Sequence, residues 1–132
     1  MAIYGIGASY DNKDVSSQFI RKRLACVGWN EKQAQPLHAI LRHFKIGDIV
    51  YIKSHPPSIG LIIKAIGIVI SDKVKIHALL GTCIPVKWLW MGEERLGKSD
   101  DKYPVRNITL YEEFSSKVQT RVLKLLLSKI ER

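Results

Sequence analysis

The clearest pattern of hydrophobic and polar positions lies between residues 44 and 70. Residues 49–54 alternate between two sets of side chains, which predicts a β-strand with two distinct faces. The segment 55–58 contains two successive prolines, and because proline lacks the donor N–H, it cannot continue a β-ladder. Residues 60–70 are apolar on both faces except at Lys64. This predicts a second strand buried on two sides, as in a small closed barrel.

Shorter patterns predict four more strands, at residues 3–10, 25–29, 73–79 and 84–91. Trp88 and Trp90 are two positions apart in the last of these strands, so we expect both indoles on the same face. Residues 93–104 are polar, which predicts a loop.

Three helices are predicted from apolar positions that recur at helical spacing. The first begins with Asp14, a good N-cap residue. The second begins close to Pro36, because proline is tolerated in the first turn of a helix. The third covers about residues 115–130 and is capped by Thr109 or Ser115. Its apolar stripe consists of Val118, Val122, Leu125 and Leu126.

These elements predict one compact α+β domain over residues 1–132, with five or six strands and three helices. No apolar run approaches the roughly 20 residues that span a bilayer. The N-terminal segment lacks the features of a signal peptide, so we expect a cytoplasmic protein that does not bind membranes. Cys26 and Cys83 have no metal-ligand spacing, and we expect both to be buried free thiols.

The chain is basic, with 21 Lys and Arg against 12 Asp and Glu and a formal net charge of +9. This excess favours an anionic partner, with nucleic acid ahead of a membrane surface. The alternative is a basic protein whose charge only keeps it in solution. Lys64 interrupts an apolar strand, so it must extend to water, pair with an acid or face a ligand, and the first is the default. The candidate phosphate contacts are Arg21, Lys22, Arg23, Lys64, Lys87 and Arg106.

The order of short motifs along residues 3–114 resembles the PUA-like superfamily, and within it most closely the EVE and YTH-like modules. The motifs are, in order, Gly28-Trp29, a helix, residues 44–50 (FKIGDIV), residues 65–69 (AIGIV), His77 and residues 85–89 (PVKWL). The resemblance implies a small, curved, mostly antiparallel β-barrel flanked by helices. It also implies binding of RNA or DNA, with a modified base held in an aromatic-lined pocket.

EVE and YTH-like modules occur alone or fused to modification-dependent restriction enzymes, so the resemblance also implies a role in a restriction or defence system. This sequence carries no recognisable nuclease or nucleotide-hydrolysing domain beside the module. We therefore expect any cleavage to depend on a separate effector protein.

A base that leaves its stack needs flat π-surfaces and a few hydrogen-bonding groups at its edge. Trp29 is the first candidate, because it ends a predicted strand and precedes the polar Asn30. Trp88 is expected in the core, whereas Trp90 lies nearer the end of its strand. The candidate base-binding residues are Trp29, Trp90, Tyr10, Tyr51, Ser9, Asn30, Lys53 and Ser54.

Signals for catalysis or a cofactor are weak. The Gly5-x-Gly7 pair begins like a dinucleotide fingerprint, but Tyr10 replaces the third glycine. Asp11-x-Lys13 and Asp100-x-Lys102 match the acid-x-lysine end of some metal-dependent nucleases, yet both fall in predicted loops. We therefore expect a binding module without enzyme activity, metal or cofactor. The alternatives are a small metal-dependent nuclease or toxin, and a basic subunit that docks an acidic protein.

Overall fold

The computed structural model describes residues 1–30, 32–98 and 108–131. Within these ranges the chain forms nine strands and three helices. The strands are β1 Ile3–Gly7, β2 Ser9–Tyr10, β3 Lys13–Asp14, β4 Leu24–Val27, β5 Ile49–Ser54, β6 Leu61–Val69, β7 Lys75–His77, β8 Gly81–Gly97 and β9 Leu110–Glu112. The helices are α1 Ser16–Lys22, α2 Gln35–Arg42 and α3 Ser116–Ile130.

Seven strands form one curled sheet in the order β4-β8-β6-β5-β1-β9, with β7 paired to β8. Among the described residues, its pairings are antiparallel except for that of β1 with β5. Bulges interrupt the β5–β6 and β6–β8 ladders, and bulges increase the local twist of a sheet. The sheet is a half-barrel rather than a closed barrel. The predicted α+β class, with a curved, mostly antiparallel sheet and about three helices, is confirmed.

The two faces of β5 lie in two separate hydrophobic cores, as its alternation predicts. Tyr51 packs in the core under α3, together with Val122 of that helix. Ile52 packs on the opposite face of the sheet, with Phe19 of α1 and Leu41 of α2. Because helices cover both faces, the central strands are apolar on both sides.

The expectation that Trp88 and Trp90 share a face is wrong. Trp88 pairs with Gly67 and Trp90 with Ile66, so Leu89 is an extra residue in β8 opposite two consecutive residues of β6. Since side chains alternate across a strand, one inserted residue reverses the face of the residues that follow it. Trp88 therefore lies in the core with α1 and α2, whereas Trp90 packs on the side of α3.

Several strand boundaries differ from the prediction: residues 3–10 are divided into β1 and β2, β7 is shorter than 73–79, and β8 begins at Gly81. β8 continues through Gly97, so the first part of the predicted loop 93–104 is strand. The remainder of that loop, from residue 99, lies outside the described residues. β4 ends at Val27, two residues before the predicted end. Trp29 consequently follows the strand instead of ending it.

Local hydrogen bonds account for the helix starts. Asp14 does not cap α1; its Oδ1 accepts from the N–H of Ser16 at 2.8 Å, and the helix begins at Ser16. Ser115 caps α3, because its hydroxyl accepts from the N–H of Val118 at 3.4 Å. Pro36 stands in the first turn of α2, as predicted. In the described ranges, no helix is long and apolar enough to cross a membrane.

Cys26 and Cys83 form a disulfide, so the expectation of free thiols is wrong. Both residues are fully buried, as expected. The antiparallel pairing of β4 with β8 sets them directly opposite each other, with their Cα atoms 4.0 Å apart. Their separation of 57 residues in sequence hides this contact, which only the strand register creates.

Gly60 and Gly47 allow a matched test of backbone packing. Both have a positive φ, 91° at Gly60 and 94° at Gly47, where a side chain costs about 1–2 kcal/mol. A Cβ at Gly60 would also overlap the carbonyl group of Gly97, whereas a Cβ at Gly47 would meet no atom within 4 Å. We expect Gly60→Ala to lower the free energy of unfolding by about 1–3 kcal/mol more than Gly47→Ala does. Urea denaturation measures this difference, and equal losses in the two variants would contradict the packing at Gly60.

Candidate functional site

A cavity of about 300 Å³ opens where two hairpins and the end of β4 meet. Ser9, Tyr10 and Asp11 come from the β2–β3 hairpin, and Gly28 and Trp29 follow β4. Leu79 comes from the turn between β7 and β8, and Thr109 immediately precedes β9. The lining residues are Ser9, Tyr10, Asp11, Gly28, Trp29, Leu79 and Thr109. The fold thus brings together three predicted base-binding residues, Ser9, Tyr10 and Trp29.

The β2–β3 hairpin has a tight turn that places two lining residues. Asp11 and Asn12 have φ values of 50° and 66°, and two consecutive left-handed residues are typical of a type I′ turn. Such a turn matches the twist of the flanking strands, so Tyr10 pairs with Lys13 across the hairpin. Asp11 is therefore held at the tip, beside the cavity.

The backbone at Trp29 is held in place by a hydrogen bond from helix α2. The buried imidazole of His38, on α2, donates its Nε2–H to the Trp29 carbonyl oxygen at 2.7 Å. Asn30 accepts the N–H of Gln33 with its side-chain oxygen at 2.9 Å, which closes the next turn. The Trp29 residue itself remains 55% exposed. The result is a large aromatic surface that is open to solvent on an anchored main chain.

Tyr10 lines the cavity, its ring contacts the ring of Phe19, and its hydroxyl is already hydrogen-bonded. The hydroxyl donates to the carbonyl oxygen of Leu80 at 2.7 Å. Burial raises the pKa of Tyr10 above its ordinary value of 10.0, so the phenol is neutral at physiological pH. Gly28 packs against this ring so closely that a Cβ there would lie 2.9 Å from Cζ. Glycine at position 28 is what lets the ring and the end of β4 approach each other.

Four lining residues were not predicted to bind a base from the sequence: Asp11, Gly28, Leu79 and Thr109. Asp11 adjoins the predicted Tyr10, and recognition of the type I′ turn would have placed it beside that residue. Thr109 belongs to a distant part of the chain, and its carbonyl oxygen accepts the N–H of Gly7 at 2.7 Å. No local signal marks a contact between segments about 100 residues apart.

Tyr51 and Lys53 were predicted to contact a base, but both are buried, and Tyr51 packs in the core under α3. Tyr51 is fully buried, and its hydroxyl donates to Oε1 of Glu113 at 2.7 Å and contacts the Tyr111 hydroxyl at 2.8 Å. The Lys53 ammonium lies 5.8 Å from the centre of the Tyr111 ring, and burial lowers the pKa of Lys53 from 10.5 to about 8. Neither residue is among those that line the cavity beside Trp29.

The remaining base-binding candidates also lie outside the cavity lining. Trp90 is partly buried on the α3 side of the sheet. Ser54 is half-buried at the end of β5. Asn30 follows Trp29 directly but uses its side-chain oxygen in the turn with Gln33.

The predicted phosphate contacts are not gathered at the cavity. Arg21, Lys22 and Arg23 are exposed at the end of α1, next to the start of β4. Trp29 is six positions after Arg23, a span of up to about 20 Å in extended chain. Lys87 is also exposed. It follows Pro85 by two positions, and Pro85 pairs with Leu24 at the start of β4, the end of that strand away from Trp29. Arg106 lies outside the described residues.

Exposed lysines occur on both hairpins that supply lining residues. Lys13 stands opposite Tyr10 in the β2–β3 hairpin. Lys75 lies in β7, two residues before the turn that carries Leu79. Neither was predicted as a phosphate contact, and Lys13 was named only in the acid-x-lysine pair with Asp11, because the positions of these lysines depend on how the hairpins are folded together.

Lys64 pairs with an acid instead of merely extending to water. Its Nζ lies 2.8 Å from Oδ2 of Asp14, beside a second, shallow depression near α1. Partial burial alone would raise the pKa of Asp14, but hydrogen bonds from Lys64 and Ser16 outweigh it and lower the pKa from 3.8 to about 2. This lysine is therefore engaged within the protein.

We expect the Asp14 carboxyl to titrate near pH 2, and Lys64→Met to move that midpoint back toward 3.8. Because the pKa of Asp14 is depressed in the folded state, its stabilising effect is present above about pH 4 and is lost as pH falls through about 2. NMR titration of the side-chain carboxyl carbon measures the midpoint directly. Lys124→Met, which removes an exposed lysine of α3, is the control and should leave the Asp14 midpoint unchanged. An unchanged Asp14 midpoint in Lys64→Met would contradict the ion pair.

The acid-x-lysine pairs do not form a metal site in the described part of the chain. Asp11 lies in a hairpin turn and Lys13 follows that turn, whereas Asp100 and Lys102 lie outside the described residues. Within the described ranges, no three His, Cys, Asp or Glu side chains are grouped so that they could hold a metal ion.

No protein-family model matches this chain, and no curated protein sequence matches it either. The function proposed below therefore depends on the geometry and charge of the chain itself.

Proposed function

We propose that this chain is a nucleic-acid-binding module that takes a single base, one carrying a modification, into the cavity beside Trp29. The resemblance to EVE and YTH-like modules implies the same role. The observation that carries the proposal is the convergence of the exposed Trp29 indole and the Tyr10 ring on a cavity of about 300 Å³. A basic chain with a net charge of +9 supplies attraction for the phosphate backbone.

The cavity suits a small planar ligand. Its volume is at the lower end of the range for small-molecule pockets, about 300–1,000 Å³. Stacking on an aromatic side chain contributes about 1–3 kcal/mol per base. Ser9 can donate or accept at the base edge, whereas ionised Asp11 only accepts and would pair with an N–H group. Stacking and edge recognition would therefore come from different elements around one cavity.

The anchoring of the walls also favours binding. His38 fixes the backbone of Trp29, and Leu80 fixes the hydroxyl of Tyr10. Walls that are ordered before binding lose little conformational entropy when the ligand enters. Catalysis is not required for this function, and any cleavage would be the work of a separate effector protein.

Titration of labelled oligonucleotides by fluorescence anisotropy tests the proposal. We expect binding that weakens as salt rises from about 50 to 200 mM, because phosphate contacts release counterions. Among otherwise identical oligonucleotides with cytosine, adenine and their methylated or hydroxymethylated forms, one should bind more tightly. Polyglutamate of equal charge is the control for a basic subunit that docks an acidic protein. Competition by polyglutamate equal to that by the oligonucleotide, or no oligonucleotide binding at low salt, would refute the proposal.

The same samples, incubated with Mg²⁺ or Mn²⁺, test the nuclease alternative. Cleavage that is lost in Asp11→Asn would favour an enzyme over a binding module, since a metal site needs fixed carboxylate ligands.

A further inference from the structure

Leu79 is a large apolar residue that is exposed to solvent at the mouth of the cavity. It is 81% exposed, although it lines the same cavity as Trp29 and Tyr10. Its neighbour Leu80 is buried, with 3% of its surface exposed. A single exposed leucine is ordinary on a protein surface, so its meaning depends on how it is held and what lies beside it.

The turn that carries Leu79 is held by side chains at both ends. The His77 ring accepts the backbone N–H groups of Leu79 and Leu80 at its Nδ1, at 3.1 and 3.2 Å. The carbonyl oxygen of Leu80 accepts the Tyr10 hydroxyl at 2.7 Å. Leu79 is thus fixed in an exposed position by hydrogen bonds to a neighbour in the hairpin and to a wall of the cavity.

The hairpin is also anchored against the strand that leads to Trp29. Gly81 follows the turn with a φ of 96°, and a Cβ there would overlap the carbonyl oxygen of Val27. This close approach, which only glycine permits, ties the tip of the hairpin to the end of β4. Trp29 is the second residue after β4, so the indole and the Leu79 side chain share one rim.

We propose that the partner is a double-stranded nucleic acid and that Leu79 is a wedge, which enters the base stack where the target base has left it. This inference rests on the proposed function, because a wedge is needed only if a base moves into the cavity. Extrusion from a duplex breaks stacking and pairing and leaves a gap, and apolar side chains such as Leu fill gaps of this kind.

The chemistry of the rim favours a duplex over a single strand. Proteins that follow single strands present a series of aromatic side chains on which successive bases stack. Here the rim pairs one indole with one aliphatic side chain that has no π-face. Lys75 is exposed on β7, four positions before Leu79 in the same hairpin. Its ammonium would contact a phosphate beside the wedge.

Binding of three probes by four proteins tests this role. The probes are a 15-base-pair duplex with the preferred base at its centre, the same duplex with a mismatch opposite that base, and the single strand alone. The proteins are the unaltered chain, Leu79→Ala, Trp29→Ala and Leu127→Ala, the last removing a leucine exposed on α3. We expect Leu79→Ala to weaken duplex binding about 10-fold or more, which is the value of burying one leucine side chain.

The pattern across the probes separates the wedge from the cavity. Leu79→Ala should weaken binding to the mismatched duplex less, because that base is already unpaired, and should leave the single strand unaffected. Trp29→Ala should weaken binding to all three probes, whereas Leu127→Ala should weaken binding to none of them. Equal effects of Leu79→Ala on duplex and single strand, or no effect on either, would overturn the wedge while Trp29→Ala still reports on the cavity. Absence of any Trp29→Ala effect would overturn the proposed function itself.

Discussion

Replacing Trp29 by alanine is expected to weaken oligonucleotide binding by about 5- to 150-fold, which corresponds to one lost stacking contact. The fold should tolerate the change, because the side chain is largely exposed and its backbone keeps the hydrogen bond from His38. Trp29→Phe should retain part of the affinity, since phenylalanine offers a smaller π-face. Anisotropy titrations at one salt concentration measure the oligonucleotide affinity of the unaltered chain, Trp29→Ala and Trp29→Phe.

Phe114 is the matched control for Trp29. It is 76% exposed, and it follows Glu113, whose N–H bonds to Ile3 at the other end of β1 from the cavity. Phe114→Ala should therefore leave affinity unchanged. If the two alanine variants lose the same affinity, exposed aromatic surface in general is responsible, and the cavity has no special role.

Removing the Glu113 carboxylate is expected to cause the largest loss of stability, about 3–6 kcal/mol in Glu113→Ala. Glu113 is buried, with 3% of its surface exposed. It accepts from the Tyr51 hydroxyl at 2.7 Å and from the N–H of Ser115 at 3.0 Å. Hydrogen bonds to a charged group contribute about 1.5–3 kcal/mol each, and their removal leaves buried donors unsatisfied. Urea denaturation gives the free energy of unfolding.

Glu112→Ala is the control, since Glu112 is the exposed neighbour of Glu113 in the same chain segment. Glu112→Ala should lower the free energy of unfolding by less than about 0.5 kcal/mol. A double-mutant cycle with Tyr51→Phe should show coupling between Tyr51 and Glu113, because they share a hydrogen bond. Additive effects, or equal losses in Glu112→Ala and Glu113→Ala, would contradict a buried carboxylate network.

The Glu113 network shows why part of the site prediction failed. In the sequence, Tyr51 and Lys53 are polar or aromatic residues near the end of a strand, the same description that fits Tyr10. Alternation along β5 correctly assigned them to one face, but it does not reveal what covers that face. For Tyr51 the cover is α3 and the chain around Glu113, about 60 residues away, and Lys53 is buried as well. Ser9, Tyr10 and Trp29 line an open cavity, although Tyr10 contacts Phe19 of α1 and the Trp29 carbonyl oxygen accepts from His38 of α2.

Local pattern alone determined the main strands, the start of α2 near Pro36 and the apolar stripe of α3, because alternation and helical spacing are properties of neighbouring residues. Only the tertiary structure decided which residues meet. The bulge at Leu89 parts Trp88 from Trp90, and the β4–β8 register joins Cys26 to Cys83. The cavity likewise exists only where two hairpins, the end of β4 and Thr109 come together. Such contacts depend on strand register and order, which are set by the packing of the whole chain and leave no mark on any single stretch of it.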